Sequence, residues 1–108
     1  MPQTNKQNII GGLFTAEKYE SLTISTASVV LTAANTLNSD GFSAKRAVIT
    51  VEDAQIRYRY DGTAPTASQG HLANPMDAII LKGSTNINNF RAIRKGSTDA
   101  TIRVTYEF

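Results

Sequence analysis

The side chains of this sequence with chemical potential are few and scattered. His71 is the single histidine, following Gly70 in a loop-like stretch. A general base needs a nucleophile and an orienting partner within hydrogen-bond reach. No neighbouring Ser, Asp or Glu spells that arrangement, so a structural or incidental role is expected of His71. Three carboxylates, Glu52, Asp53 and Asp61, flank the central part of the chain. They would suit Ca²⁺ if three or more oxygens converged, but no D-x-D-x-D loop supports this. Asp61-Gly62 reads instead as an Asx-type turn closing a strand, with Gly62 at positive φ. The sequence has no cysteine, which excludes disulfides, thiolate nucleophiles and zinc–sulfur centres. No catalytic, metal or cofactor-binding residue is assigned, and a non-enzyme without a cofactor is expected.

Two sets of residues suggest contact surfaces instead. Arg57 and Arg59 share one side of a strand, and Arg91 joins them if its strand is a neighbour. The guanidinium fork suits carboxylates and phosphates. One reading is a solvated face with cross-strand pairs to residues such as Glu107; the other is a surface for an acidic partner. The second set is Ile9, Ile10, Leu13 and Phe14, interrupted by Gly11 and Gly12 and preceded by eight mostly polar residues. These four are too apolar to leave in water, so the segment is either a linker touching the core or an arm docking on a neighbouring subunit. Asn86, Asn88 and Asn89 with Ser84 and Thr85 form a polar cluster of the kind that binds sugars. Phe90 is its only adjacent aromatic, and a turn explains it better.

The elements that position these residues follow from alternation. Ile56, Tyr58 and Tyr60 oppose Arg57 and Arg59, and Ile102, Val104, Tyr106 and Phe108 oppose Thr101, Arg103, Thr105 and Glu107. Side chains flip at every residue of a strand, so each run has one buried and one wet face. Strands are expected at 20–25, 28–34, 45–52, 55–60, 78–82, 87–94 and 100–108. Asp53-Ala54 is expected to join two of them as a hairpin, residues 67–77 to form a loop and 83–86 a turn. The core is expected to hold Ile49, Val51, Ile56, Tyr58, Ile102, Val104 and Tyr106. Seven or eight short strands between turn residues predict an all-β sandwich, Ig-like or jelly-roll-like. The domain organisation is an N-terminal arm at 1–18 and a sandwich at 19–108.

The whole chain has 108 residues, enough for one modest core. Eleven Lys and Arg against nine Asp and Glu give a formal charge of +2, and the basic residues are dispersed. Nucleic-acid binders concentrate such charge on one face, so nucleic acid is not an expected partner. No apolar run approaches the length of a membrane span, and no signal peptide is read at the start.

Residues 56–66, IRYRYDGTAPT, are similar to the I-x-Y-x-x-D-G-T-x-P-T signature of the Ig-like C-terminal module of chitobiases. That similarity implies a strand entering a rigid turn at a sandwich edge, and admits a host-glycan-binding module. Residues 47–108, through AVITVEDAQIRYRYDGTAPTASQGH and NNFRAIRKGSTDATIRVTYEF, resemble small accessory proteins encoded among the structural genes of tailed bacteriophages. This resemblance implies a virion component made in the host cytoplasm: a capsid decoration or cement protein, or else a neck or tail ring protein. Its implied partners are the major capsid protein or another virion protein, and further copies of itself in the particle.

Overall fold

A computed structural model describes residues 14–108, and the structural statements below concern those residues. Ile9, Ile10 and Leu13, with most of the expected arm, lie outside them. Eight strands follow one another: β1 (Ala16–Ile24), β2 (Val29–Val30), β3 (Arg46–Glu52), β4 (Ile56–Arg59), β5 (His71–Ala73), β6 (Ala78–Lys82), β7 (Arg91–Arg94) and β8 (Ala100–Glu107). A 3-10 turn (Ala33–Thr36) precedes β3, and a short helix, α1 (Ser84–Asn89), precedes β7. β1 thus opens three residues ahead of the expected start of the sandwich.

The strands form two antiparallel four-stranded sheets, in the orders β1-β8-β3-β6 and β2-β7-β4-β5. β1 lies beside β8, β2 beside β7, β3 beside β6 and β4 beside β5. This nested pairing across two sheets is the jelly roll, in which the chain folds as one long ribbon of strand pairs and then wraps. Of the two sandwich types expected, it is the jelly-roll-like one that the strand order matches.

Alternation explains the core. Ile49, Val51, Ile102, Val104 and Tyr106 of the first sheet are fully buried, as is Ile56 of the second. Tyr58 is only partly buried and packs against that core from its margin. Each such aliphatic side chain contributes about 1.5–3 kcal/mol by leaving water, and the two inner faces meet only if the alternation on both sheets is kept.

Several local expectations are corrected. Asp53-Ala54 does not make a hairpin, because β3 pairs with β6 and β8 while β4 pairs with β5 and β7. A two-residue hairpin and a crossing between sheets both put Ile49, Val51, Ile56 and Tyr58 on the core side, so alternation does not separate them. Asp53 alone takes a left-handed φ of 77° here. The Ala54 amide donates to the Glu52 carbonyl at 3.0 Å, a three-residue turn centred on Asp53 that carries the chain into the other sheet. Residues 67–77 contain β5. Only Val29 and Val30 pair with β7 in the segment expected to be a strand at 28–34. The strand expected at 87–94 begins at Arg91, because Ile87 and Phe90 reach the core from one helical turn, three residues apart.

Strand direction sorts the connections. Links 25–28, 53–55, 74–77 and 95–99 lie at one end of the sandwich, and 31–45, 60–70 and 83–90 at the other. Phe14 and Phe108 join this second end, where the backbones of Thr15 and Phe108 bond each other in both directions at 2.9 and 2.8 Å.

Candidate functional site

The long connections carry most of the exposed aromatic side chains. Link 31–45 presents Phe42, which is 69% exposed. Its support is rigid. Leu37 bridges to Ser43, and the Asn38 amide donates to the Phe42 carbonyl at 2.9 Å. The Asn38 side-chain oxygen accepts from the amides of Asp40 (3.0 Å) and Phe42 (2.9 Å), and Gly41 donates to the Asn38 carbonyl at 3.0 Å. Asn38 satisfies the turn from inside, and Gly41 supplies the positive φ of 85° it requires.

The base of this link is tied to the first sheet by one carboxylate. Glu20 of β1 accepts from the hydroxyl and amide of Thr32, and from the hydroxyl of buried Tyr106. Burial pushes the Glu20 pKa up, but the bonds from Thr32 and Tyr106 outweigh it and hold the carboxyl below its usual range. Burial and the bond to Glu20 push the Tyr106 phenol upward, so it stays protonated as the donor.

Link 60–70 builds a second feature. Tyr58 and Tyr60 lie on one side of β4 and its extension, and His71 sits opposite Tyr58 in the ladder to β5. The rings form a series from core to surface. Phe90 is fully buried, and its centroid is 5.7 Å from Tyr58. Tyr58 lies 5.3 Å from His71, and His71 5.9 Å from Tyr60 at an interplanar angle of 26°. Offset stacking at such separations is favourable. Tyr60 and His71 wall an open cleft of about 590 Å³, with Arg59, Asp61, Gln69 and Gly70 as its other lining residues. His71 is therefore part of an aromatic stack with exposed faces.

The arginines hold this link in place. Arg57 donates to the carbonyls of Ala67 (3.3 Å) and Gly70 (3.1 Å). Arg59 grips Asp61 with both arms, Nε to Oδ1 at 3.1 Å and Nη2 to Oδ2 at 2.5 Å. Asp61 Oδ1 also accepts from the Thr63 amide at 3.3 Å, which is the expected Asx turn, and Gly62 has a φ of 87°. The Arg59 guanidinium and the Thr63 amide lower the Asp61 pKa to about 2. Arg91 does face Arg59 across the β4–β7 ladder. Glu107, by contrast, belongs to the other sheet and pairs with Arg46, whose guanidinium lies 4.8 Å over the Phe14 ring.

Of the candidate contact residues, Phe14 and Arg59 sit at the long-link end and Arg57 is bound to its loop. The three carboxylates weighed for Ca²⁺ do not converge. Glu52 meets Arg103, Asp53 accepts from Thr101, and Asp61 lies beyond the far end of β4. The asparagine cluster is helix α1, with Asn86 bonded to the Lys82 carbonyl and Phe90 inside the core. Phe42 and the Tyr60–His71 stack were missed in the sequence. For Phe42 the N-S-D-G tetrapeptide before it was the available signal, since a tight turn lifts the next side chain into solvent. No family model, curated protein or solved structure is matched by this chain.

Proposed function

We propose that this chain is a non-enzymatic structural protein of a bacteriophage particle, a decoration protein seated on the head through its long-link end. The observation that carries this reading is Phe42. An aromatic side chain left in water on a loop already fixed by hydrogen bonds loses little freedom when a partner covers it. Buried aromatic anchors of this kind dominate protein–protein contacts. The jelly roll is compatible with the role but hosts many others, so the weight rests on Phe42 and on the resemblance of residues 47–108 to phage accessory proteins. The partner is the major capsid protein, and repetition over the shell multiplies a weak contact.

Quantification of the protein in purified particles tests the location. A head decoration protein is present in hundreds of copies, whereas roughly 6 or 12 copies indicate a neck or tail ring. Absence from the particle overturns the reading altogether. Co-sedimentation with particles lacking the protein tests the surface. Phe42→Ala is expected to weaken attachment about tenfold or more, and removal of residues 1–14 tests the expected arm in the same assay. Full binding by both variants would reject attachment through this end.

A further inference from the structure

We propose that the cleft walled by the Tyr60–His71 stack is a binding site for a neutral carbohydrate, which would lie on an outer face of the stack. The cleft is separate from Phe42. Phe42 lies on the link leaving β2 and the cleft beside β5, and these two strands are the opposite edges of their sheet. Both lie at the long-link end, so the cleft is tested on the protein free of the particle.

Three features define the ligand. First, the wall is aromatic and wet. Tyr60 is 43% exposed and His71 is exposed, with their rings stacked. The C–H face of a sugar ring carries slight positive charge and lies well on the negative face of an aromatic ring. Second, the polar lining has no net charge. Arg59 and Asp61 neutralise each other through two hydrogen bonds. An anion entering here meets Asp61 and a cation meets Arg59, so an uncharged ligand is favoured over a phosphate or an ammonium. Third, the pair is not used up. A guanidinium has five N–H donors and a carboxylate about four acceptor positions. Asp61 takes two of the five donors, and Arg59 with Thr63 fills three of the four acceptor positions. Hydroxyl groups, which donate and accept, match that mixed remainder. Small-molecule sites combine such apolar walls with a few fixed polar groups.

The ligand extends beyond one sugar. Tyr60 also borders a second groove of about 370 Å³, lined among others by Tyr58, Ile80, Lys82 and Asn86. Both recesses have Tyr60 in their lining, so an oligosaccharide crossing that residue reaches both.

The test is an NMR titration of the isolated full-length protein. The probes are neutral hexasaccharides of glucose, mannose, galactose and N-acetylglucosamine, with a heparin hexasaccharide and inorganic phosphate as charged comparisons. At least one neutral probe is expected to give saturable shifts at Arg59, Tyr60, Asp61, Gln69 and His71. Tyr60→Ala should weaken that binding about tenfold, while Tyr60→Phe, which keeps the ring, should stay within about threefold. Tyr60 is half in water, so both variants should keep the wild-type spectrum elsewhere. The proposal is overturned if no neutral probe saturates, if only heparin or phosphate binds, if the shifts map elsewhere, or if Tyr60→Ala binds unchanged. No particle enters this experiment, so its outcome is independent of whether the protein decorates one.

Discussion

At one end of the sandwich the chain turns in the links 25–28, 53–55, 74–77 and 95–99; at the other it runs through 31–45, 60–70 and 83–90. The short links are economical. Asp53 and Met76 take left-handed φ values of 77° and 79°, and side chains bond the nearest strand or turn. Asp53 accepts from Thr101, Asp77 from the Asn74 amide, and Asp99 from Arg94. The long links spend their polar groups differently. Asn38, Arg57, Arg59 and Asp61 fix loops that hold Phe42, Tyr60 and His71 in or near water. The short-link end also leaves Met76 in water, but it is the long-link end that displays aromatic side chains on loops pinned by hydrogen bonds. This division is how rigid β scaffolds ordinarily carry function.

The contrast breaks most visibly in the core beneath both ends. Ile49→Ala and Ile56→Ala, each removing a fully buried side chain, should cost about 2–5 kcal/mol by urea unfolding. Phe42→Ala and Tyr60→Ala should stay within about 0.5 kcal/mol. A core-sized loss at Phe42 would make it a structural residue and abolish the distinction between the ends.

A smaller effect is expected where the cleft loop meets β4. Gly70 has a φ of 133°, and an added Cβ would lie 3.1 Å from the Tyr58 carbonyl oxygen and 3.2 Å from Pro65 Cβ. Neither backbone nor a buried proline yields easily. Gly70→Ala should therefore cost about 1–3 kcal/mol and shift the resonances of Tyr58 and His71. Gly62→Val is strained by its φ of 87° and should lower soluble yield. If Gly70→Ala melts like the wild type, the loop is more yielding than its hydrogen bonds imply.

The smallest effect lies at the clamp between β1 and the base of the Phe42 link. Tyr106→Phe removes one donor from Glu20 and should cost about 1 kcal/mol. The folded Glu20 pKa lies below its ordinary value of 4.5. Its contribution is then complete above 4.5 and is lost as pH falls through the lower folded value. The melting temperature of the wild type should drop across that acid interval. In Tyr106→Phe the carboxyl is less depressed and the drop should be shallower. Parallel pH profiles for the two proteins would show that Glu20 is not the clamp.

The legible part of this molecule was whatever alternation controls. The faces of β3, β4 and β8, and with them six of the seven expected core residues, follow from period two alone. Tyr58 sits at the margin because β5 beside it is short and the second groove, which Tyr58 lines, opens there. What alternation leaves undetermined is which sheet a strand joins, as the Asp53-Ala54 crossing demonstrates. It also hides elements shorter than one period of evidence, such as the single turn of α1 and the three residues of β5. Arg57 and Arg59 were legible as a pair but not in their role. Their partners are loop carbonyls and Asp61, which a strand pattern does not display. The Tyr60–His71 stack joins residues eleven apart in sequence, and only the β4–β5 pairing brings them together.

The nested strand order has a consequence for how the molecule comes into being. β8 occupies an interior place in its sheet, between β1 and β3, yet it follows all seven other strands in the chain. Before it is made, β1 has no partner in its sheet and β3 has one bare edge. Among the described residues, β4 with β5 is the only sequence-adjacent pair of strands that lies side by side. Folding must therefore close large loops before most contacts form, which slows all-β proteins of high contact order. During synthesis the growing chain carries exposed alternating strands that invite association with other chains. Assembly of the sheet is consequently a late event, triggered by the arrival of residues 100–107, with β1 and β3 captured together.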